Sequence, residues 1–183
     1  MGHRKELDML LFESDNGNRK VCMWEDEIPY NYMGDSTLHM HTEAGDVNWH
    51  VGTICLEVKL HPRHISNYAM VCMKYMSNKK NETDIIINFG RKTGFFKSQV
   101  LPFSKEVALG LDKEFADAIE EFFKEYPLCK LPSGTIEILS GAFDEVGSSN
   151  VAFKKVMNML VFVFQHIDEF DDDKLQYELL KLM

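Results

Sequence analysis

No stretch of the 183-residue sequence approaches eighteen consecutive apolar residues, so a membrane-spanning helix is not expected. The opening Met1-Gly2-His3-Arg4-Lys5-Glu6 turns acidic before any apolar run, which does not fit a secretory leader. Four cysteines, five prolines and eleven glycines are too few for a disulfide scaffold, a collagen-like chain or a proline- and glycine-rich disordered segment. Cys22, Cys55, Cys72 and Cys129 lack the short paired spacing of zinc ribbons or redox motifs and are expected as buried, reduced thiols. Cations are also scarce: 20 Lys and Arg against 29 Asp and Glu give a net charge of −9. Phosphate backbones and anionic membranes should repel such a molecule. The expectation is a soluble cytoplasmic protein with no membrane contact.

What is present suits one globular unit. A chain of this length, 45% hydrophobic, buries roughly 70% of its unfolded surface without metal or disulfides. Charge is unevenly placed, because residues 71–100 hold Lys74, Lys79, Lys80, Arg91, Lys92 and Lys97 against Glu82 and Asp84 alone.

Apolar runs at 7–13 and 21–24 flank Asp15-Asn16-Gly17-Asn18, whose Asn and Gly accept positive φ, so a first hairpin is expected. Leu38-His39-Met40-His41-Thr42 alternates strictly, as does Val47-Asn48-Trp49-His50-Val51, with Glu43-Ala44-Gly45-Asp46 between them. Folded as a hairpin, these runs pair Met40 with Trp49 on a core face and gather His39, His41 and His50 on a wet face. The second run can continue to Leu60 before Pro62. Residues 68–76 and 84–89 are further strands joined by the polar turn 77–81, and 90–104 reads as a loop.

Leu111, Phe115, Ile119, Phe122, Phe123 and Tyr126 recur at helical spacing, giving an amphipathic helix over about 111–126. Residues 135–139 and 143–146 are strands around a Gly141-Ala142 turn. Ser148 or Ser149 offers an N-cap to a buried helix starting near Asn150. Asp168 to Asp173 is an acidic break before a short helix over 174–183. Strands first and helices last argue for an α+β fold, two helices on one face of a mostly antiparallel sheet. The expected organisation is an N-terminal extension over 1–36, a main domain over 37–167 and an acidic linker with helix over 168–183. Whether 1–36 forms a separate module or extends the same sheet stays open.

Three segments carry a family resemblance: Leu111-Asp112-Lys113-Glu114-Phe115, Pro127-Leu128-Cys129-Lys130-Leu131-Pro132, and the run from Gly141 to Lys154. The last keeps Gly141, Val146, Ser148, Ser149, Ala152 and Phe153 at unbroken spacing. Together they resemble domain IV of elongation factor G, over roughly residues 38–166. The resemblance implies a two-layer sandwich, a four-stranded or larger sheet under two helices with a left-handed βαβ crossover. It also implies two tip loops that in the family enter the ribosomal decoding centre. Their positions here are Glu43 and Asp46 in one loop, and Asp144 and Glu145 in the other. These acids stand where the family carries glycine, arginine and histidine, which opposes approach to RNA phosphates. The sequence has no Gly-x-x-x-x-Gly-Lys-Ser/Thr loop for GTP.

No nucleophile elbow or carboxylate pair rises above background, so the chain reads as non-enzymatic. The leading expectation is a binding or regulatory domain with a macromolecular partner, protein rather than RNA. A second reading is a ribosome- or RNA-associated factor acting through Lys79, Lys80, Arg91, Lys92 and Lys97, interleaved with Phe89, Phe95 and Phe96. Opposite charge between this segment and the acidic tip also permits self-association. A third reading places zinc at His39, His41 and His50; without it the same residues form a solvated strand face. No other cofactor is expected. His61 and His64 flank a loop and read as solvated.

Overall fold

The order of elements is β1 (Met9–Glu13), β2 (Lys20–Glu25), β3 (Ser36–Glu43), β4 (Gly52–Lys59), β5 (Tyr68–Ser77), β6 (Glu82–Lys97), β7 (Glu106–Leu111), α1 (Lys113–Glu125), β8 (Gly134–Phe143), α2 (Asn150–His166) and α3 (Asp172–Leu182). The structure is a computed structural model; it describes residues 9–14, 16–30, 34–60 and 68–183, and of residues 91–93 the backbone alone. His61 and His64 lie outside the described residues.

Among the described residues the strands form one sheet in the order β1-β2-β4-β5-β8-β7-β6-β3, with β8 also paired to β6. Every pairing is antiparallel except β6 with β8. The fold class is α+β. Residues of β1 and β2 extend the main sheet, since β2 pairs with β4.

The helices follow from ordinary capping and patterning. Ser149 caps α2, accepting a hydrogen bond from the Ala152 amide at 3.3 Å, a contribution of about 1 kcal/mol. Asp171 caps α3 by accepting from the Lys174 amide, so part of the acidic break is a helix start. Phe115 of α1 stacks on Phe153 of α2 at 4.3 Å between ring centroids. Beneath them Val21, Met23, Ile54, Leu56, Val71, Met73, Ile85, Ile87, Ile136 and Ile138 make one buried apolar layer with the helices.

A second, smaller core lies on the opposite face of the sheet. Cys22, Trp24, Cys55, Tyr68, Met70, Cys72, Val100, Val107, Leu139 and Ala142 pack there under Tyr30, Phe96 and Leu101. Strands buried on both faces explain the near-continuous apolar character of β4 and β5.

Several expectations are corrected. The 38–51 hairpin does not form: β3 pairs with β6, placing Met40 opposite Ile85, and no strand spans 44–51. Alternation fixes which face a side chain takes but leaves the partner strand open. Of the loop expected over 90–104, residues 90–97 are the far half of β6, bulged between Arg91 and Phe95 and paired with β7, while 98–104 is the connection to β7 and contains no strand. Gly141 and Ala142 lie inside β8 and not in a turn. Three helices pack on the apolar layer, where two were expected, because Leu175 and Leu179 of α3 join it. Cys55 and Cys72, opposite each other on β4 and β5, are joined as a disulfide, leaving Cys22 buried and Cys129 exposed as free thiols.

Strands β5 and β6 are consecutive yet unpaired with each other, because β8 is wedged between them. Gly134 pairs at once with Ser77 of β5 and Thr83 of β6. Its φ is +153°, and a Cβ there would lie 2.2 Å from the Met76 carbonyl oxygen. Both the backbone conformation and the space require glycine. Gly134→Ala is expected to destabilise the fold by at least about 2 kcal/mol, read as a lowered urea midpoint; an unchanged midpoint would contradict this account of the wedge.

Candidate functional site

The sheet face opposite the helices is covered by the second core near β2, β4 and β5, but lies open near β3. Leu38 and Met40 lean on the helical layer, so the intervening Thr37, His39 and His41 project from the open face, and all three are exposed. Asp84 of β6 stands opposite His41. It accepts a hydrogen bond from His41 Nδ1 at 2.8 Å, and both side chains are half or more exposed. That bond, with Asp84's charge, raises the His41 pKa above its ordinary 6.5.

Further along β6, Asn88 is buried and fixes the same face. Its Nδ2 donates to Glu137 Oε1 and to the Ile138 carbonyl, both at 3.0 Å, while its Oδ1 accepts from Thr37 Oγ1 at 3.3 Å. Three strands are thereby held side by side beneath the histidines. Among the described residues His41 Nε2 makes no hydrogen bond and His39 has no polar partner.

His50 is elsewhere. Gly52, Tyr75, Ile136, Ile85 and Met40 form one row across β4, β5, β8, β6 and β3. Four strand spacings of about 4.8 Å put Gly52 about 19 Å from Met40. His50, two residues before Gly52, instead directs Nδ1 at Asp168 Oδ1, 2.9 Å away, with Glu25 Oε1 3.7 Å from Nε2. The expected convergence of His39, His41 and His50 is therefore corrected, since it required a hairpin that the chain does not make. Among the described residues no three histidines, cysteines or acids of the single chain are gathered as metal ligands.

The other candidate residues are dispersed. Glu43 and Asp46 lie at the β3 exit, where the Gly45 amide donates to the Leu131 carbonyl at 2.8 Å. Asp144 and Glu145 follow the opposite end of β8, where Lys105 Nζ reaches Asp144 Oδ2 at 2.5 Å. Ten residues of β8 separate the two loops, about 30 Å, so they do not form one tip. Lys79 and Lys80 sit in the exposed β5–β6 turn, and Lys97 is exposed at the far end of β6. The Arg91 and Lys92 side chains lie outside the described residues. Phe89 faces the helical layer, Phe96 packs against Trp24 and Tyr30, and Phe95 is exposed.

One ionisable group escaped the sequence reading. Glu57 of β4 is fully buried in the second core. Tyr68 donates its hydroxyl to Oε1 at 2.9 Å, and the Gln99 amide donates to Oε2 at 3.0 Å. Burial raises the Glu57 pKa, opposed by hydrogen bonds from Ser98, the Gln99 amide and Tyr68. The carboxylate ties 98–101 down over the sheet, with Ser98 Oγ accepting from the Val100 and Leu101 amides. A single acid within Ile54-Cys55-Leu56-Glu57-Val58 was the available signal, because that run is otherwise apolar on both faces.

Comparison with protein-family models, with curated proteins and with solved structures returns no match to this chain.

Two titrations test the geometry. The folded state keeps the Glu57 proton above the ordinary glutamate value of 4.5, where the unfolded chain has released it. This group's contribution to stability therefore declines as pH rises from 4.5 through the raised value. Glu57→Gln should remove that decline, so the melting temperature of the variant relative to the parent should climb with pH across the same interval. A constant difference would mean that the carboxylate is not buried. By NMR, His41 should titrate above 6.5 and return toward it in Asp84→Asn; an unmoved His41 would break the pair.

Proposed function

We propose that this chain is a non-enzymatic binding domain that takes a protein partner by strand addition at the outer edge of β3. The observation that carries this reading is the edge itself. Among the described residues β3 pairs with β6 alone, through eight consecutive residues without a bulge. Its sequence, Ser-Thr-Leu-His-Met-His-Thr-Glu, has neither the lysine nor the proline that natural edges use to block further pairing. The other edge, β1, has five residues, and Gln176 of α3 donates to its Glu13 carbonyl at 3.4 Å. An added strand would gain main-chain hydrogen bonds along β3 and read its alternate side chains.

The ionisable groups fit this reading. Glu57 is closed off by its own donors, and among the described residues no hydroxyl or thiol sits on His41 Nε2 to be activated. An RNA-directed role through Lys79, Lys80, Arg91, Lys92 and Lys97 is less well supported, because the two ends of the segment are separated by the length of β6 and Phe89 and Phe96 are packed inward. Descent from elongation factor G domain IV, with its left-handed crossover, remains a reading of ancestry. In its favour are the Ser149 cap and the position of Phe153 between α1 and the sheet.

Lysine at both Thr37 and Thr42 would charge each side of the edge while leaving β3 on β6. Association of the purified chain, with itself or with a captured protein, should fall at least tenfold with the circular dichroism spectrum unchanged. Undiminished association would move the site away from β3.

A further inference from the structure

The occupant of this edge can be argued from β3 itself, which is close to self-complementary. Across an antiparallel pair, residues facing each other must have the same hydrogen-bonding role, so two copies of β3 meet only where the paired residue numbers sum to an even value. Two registers about a two-fold axis share the longest overlap, seven residues: one sets His39 opposite His39, and the other, the one that brings all four histidines into facing pairs, sets Met40 opposite Met40 of the second copy. His39 then faces His41 of the other chain, twice over, while Leu38 faces Thr42 on the helical side. All four histidines share the open face.

We propose that two copies of this chain pair antiparallel through β3 and bind a divalent transition-metal ion on the two-fold axis, with His39 and His41 of each copy as ligands. The inference rests on strand addition at β3 and names its partner.

The spacing suits the chemistry. Facing residues in an antiparallel pair stand about 5 Å apart at Cβ, and neighbours two residues along a strand about 7 Å apart. Four imidazoles on such a rectangle can converge on one ion above the Met40 backbone, the nitrogen-rich tetrahedral set that zinc accepts. The carboxylate that would orient one ligand is already in place in the single chain. His41 Nδ1 is held by Asp84 at 2.8 Å, which leaves Nε2 as the ligating atom and orients the ring, as carboxylates do behind metal-bound histidines. His39 is exposed and unpartnered among the described residues.

Two physical limits make the ion necessary to the pairing. Seven paired residues span about 24 Å, and with a sheet thickness of about 10 Å they cover about 240 Å² per partner. That falls well short of the roughly 800 Å² per partner of a stable interface. Charge opposes association as well, since each copy carries −9 and the open face presents Glu43, Glu82 and Asp84 beside the histidines. A dication on the axis supplies the missing binding energy and offsets the repulsion.

The test is sedimentation velocity of the full chain with zinc chloride and with EDTA. The expected result is a 21.2 kDa monomer in EDTA and a dimer holding one zinc per two chains when the metal is added. His39→Ala and His41→Ala should each abolish the shift, and a lysine block at Thr42, whose ammonium would press on Leu38 of the second copy, should do the same. Asp84→Asn should raise the zinc concentration needed by roughly tenfold or more, and His50→Ala should change nothing. A chain that stays monomeric in zinc overturns the proposal, as does a zinc dimer that survives either loss of both histidines or the lysine block. A dimer formed in EDTA, kept without the histidines but lost with the lysine block, removes the metal and leaves strand addition standing.

Discussion

The start of β8 is held between β5 and β6 by a set of hydrogen bonds on which the rest of the sheet depends. The Asn78 amide donates to the Ser133 carbonyl, Ser133 Oγ donates back to Asn78, the Asn81 amide donates to Ser133 Oγ, and Thr83 Oγ1 donates to the Pro132 carbonyl. Tyr75 closes the set from below with a 2.8 Å bond to the Ser133 carbonyl. These contacts bind the β5–β6 turn to a segment about fifty residues later in the chain. Once Gly134 is seated, β8 can run antiparallel to β5 and parallel to β6, and β7 fills the space that opens where β6 bends away. Displaced away from β5 by this insertion, β6 takes β3, the edge strand, as its outer neighbour.

The two faces of the sheet solve different problems. Helices α1, α2 and α3 supply the apolar cover on one side, and their burial is the main favourable term in folding. On the other side the cover is the β6–β7 connection together with Tyr30. Glu57 anchors it. A buried carboxylate costs free energy through desolvation, and the amide and hydroxyl donors around it return part of that cost. The cover does not reach β3 or the half of β6 paired with it, and His39 and His41 on that side are exposed.

The proposed function belongs to that uncovered margin. A strand edge offers main-chain donors and acceptors to any extended partner, and the side chains on its two faces decide which partner is admitted. Here one face is half apolar and the other carries imidazoles backed by a carboxylate. Such an edge gives selectivity from few residues, in keeping with a domain whose other charged groups are scattered: the acidic loops lie at opposite ends of β8, and the basic residues at opposite ends of β6.

By itself the sequence determined several of the local elements. The helical spacing of Leu111 to Tyr126, the serine before Asn150 and the strict alternation at 38–42 are short-range signals, and each produced its helix, cap or strand face. His39 and His41 were legible as a wet pair for the same reason, because pleating fixes face within one strand. What only the tertiary structure decided was the choice of partner strands. Alternation is the same whether β3 pairs with 47–51 or with β6, and no local signal announces that β8 will separate β5 from β6. Asp84 behind His41, the distance to His50, the donors around Glu57 and the exposed β3 edge all follow from that non-local choice, which is settled by burial summed over the whole sheet and not by any single segment.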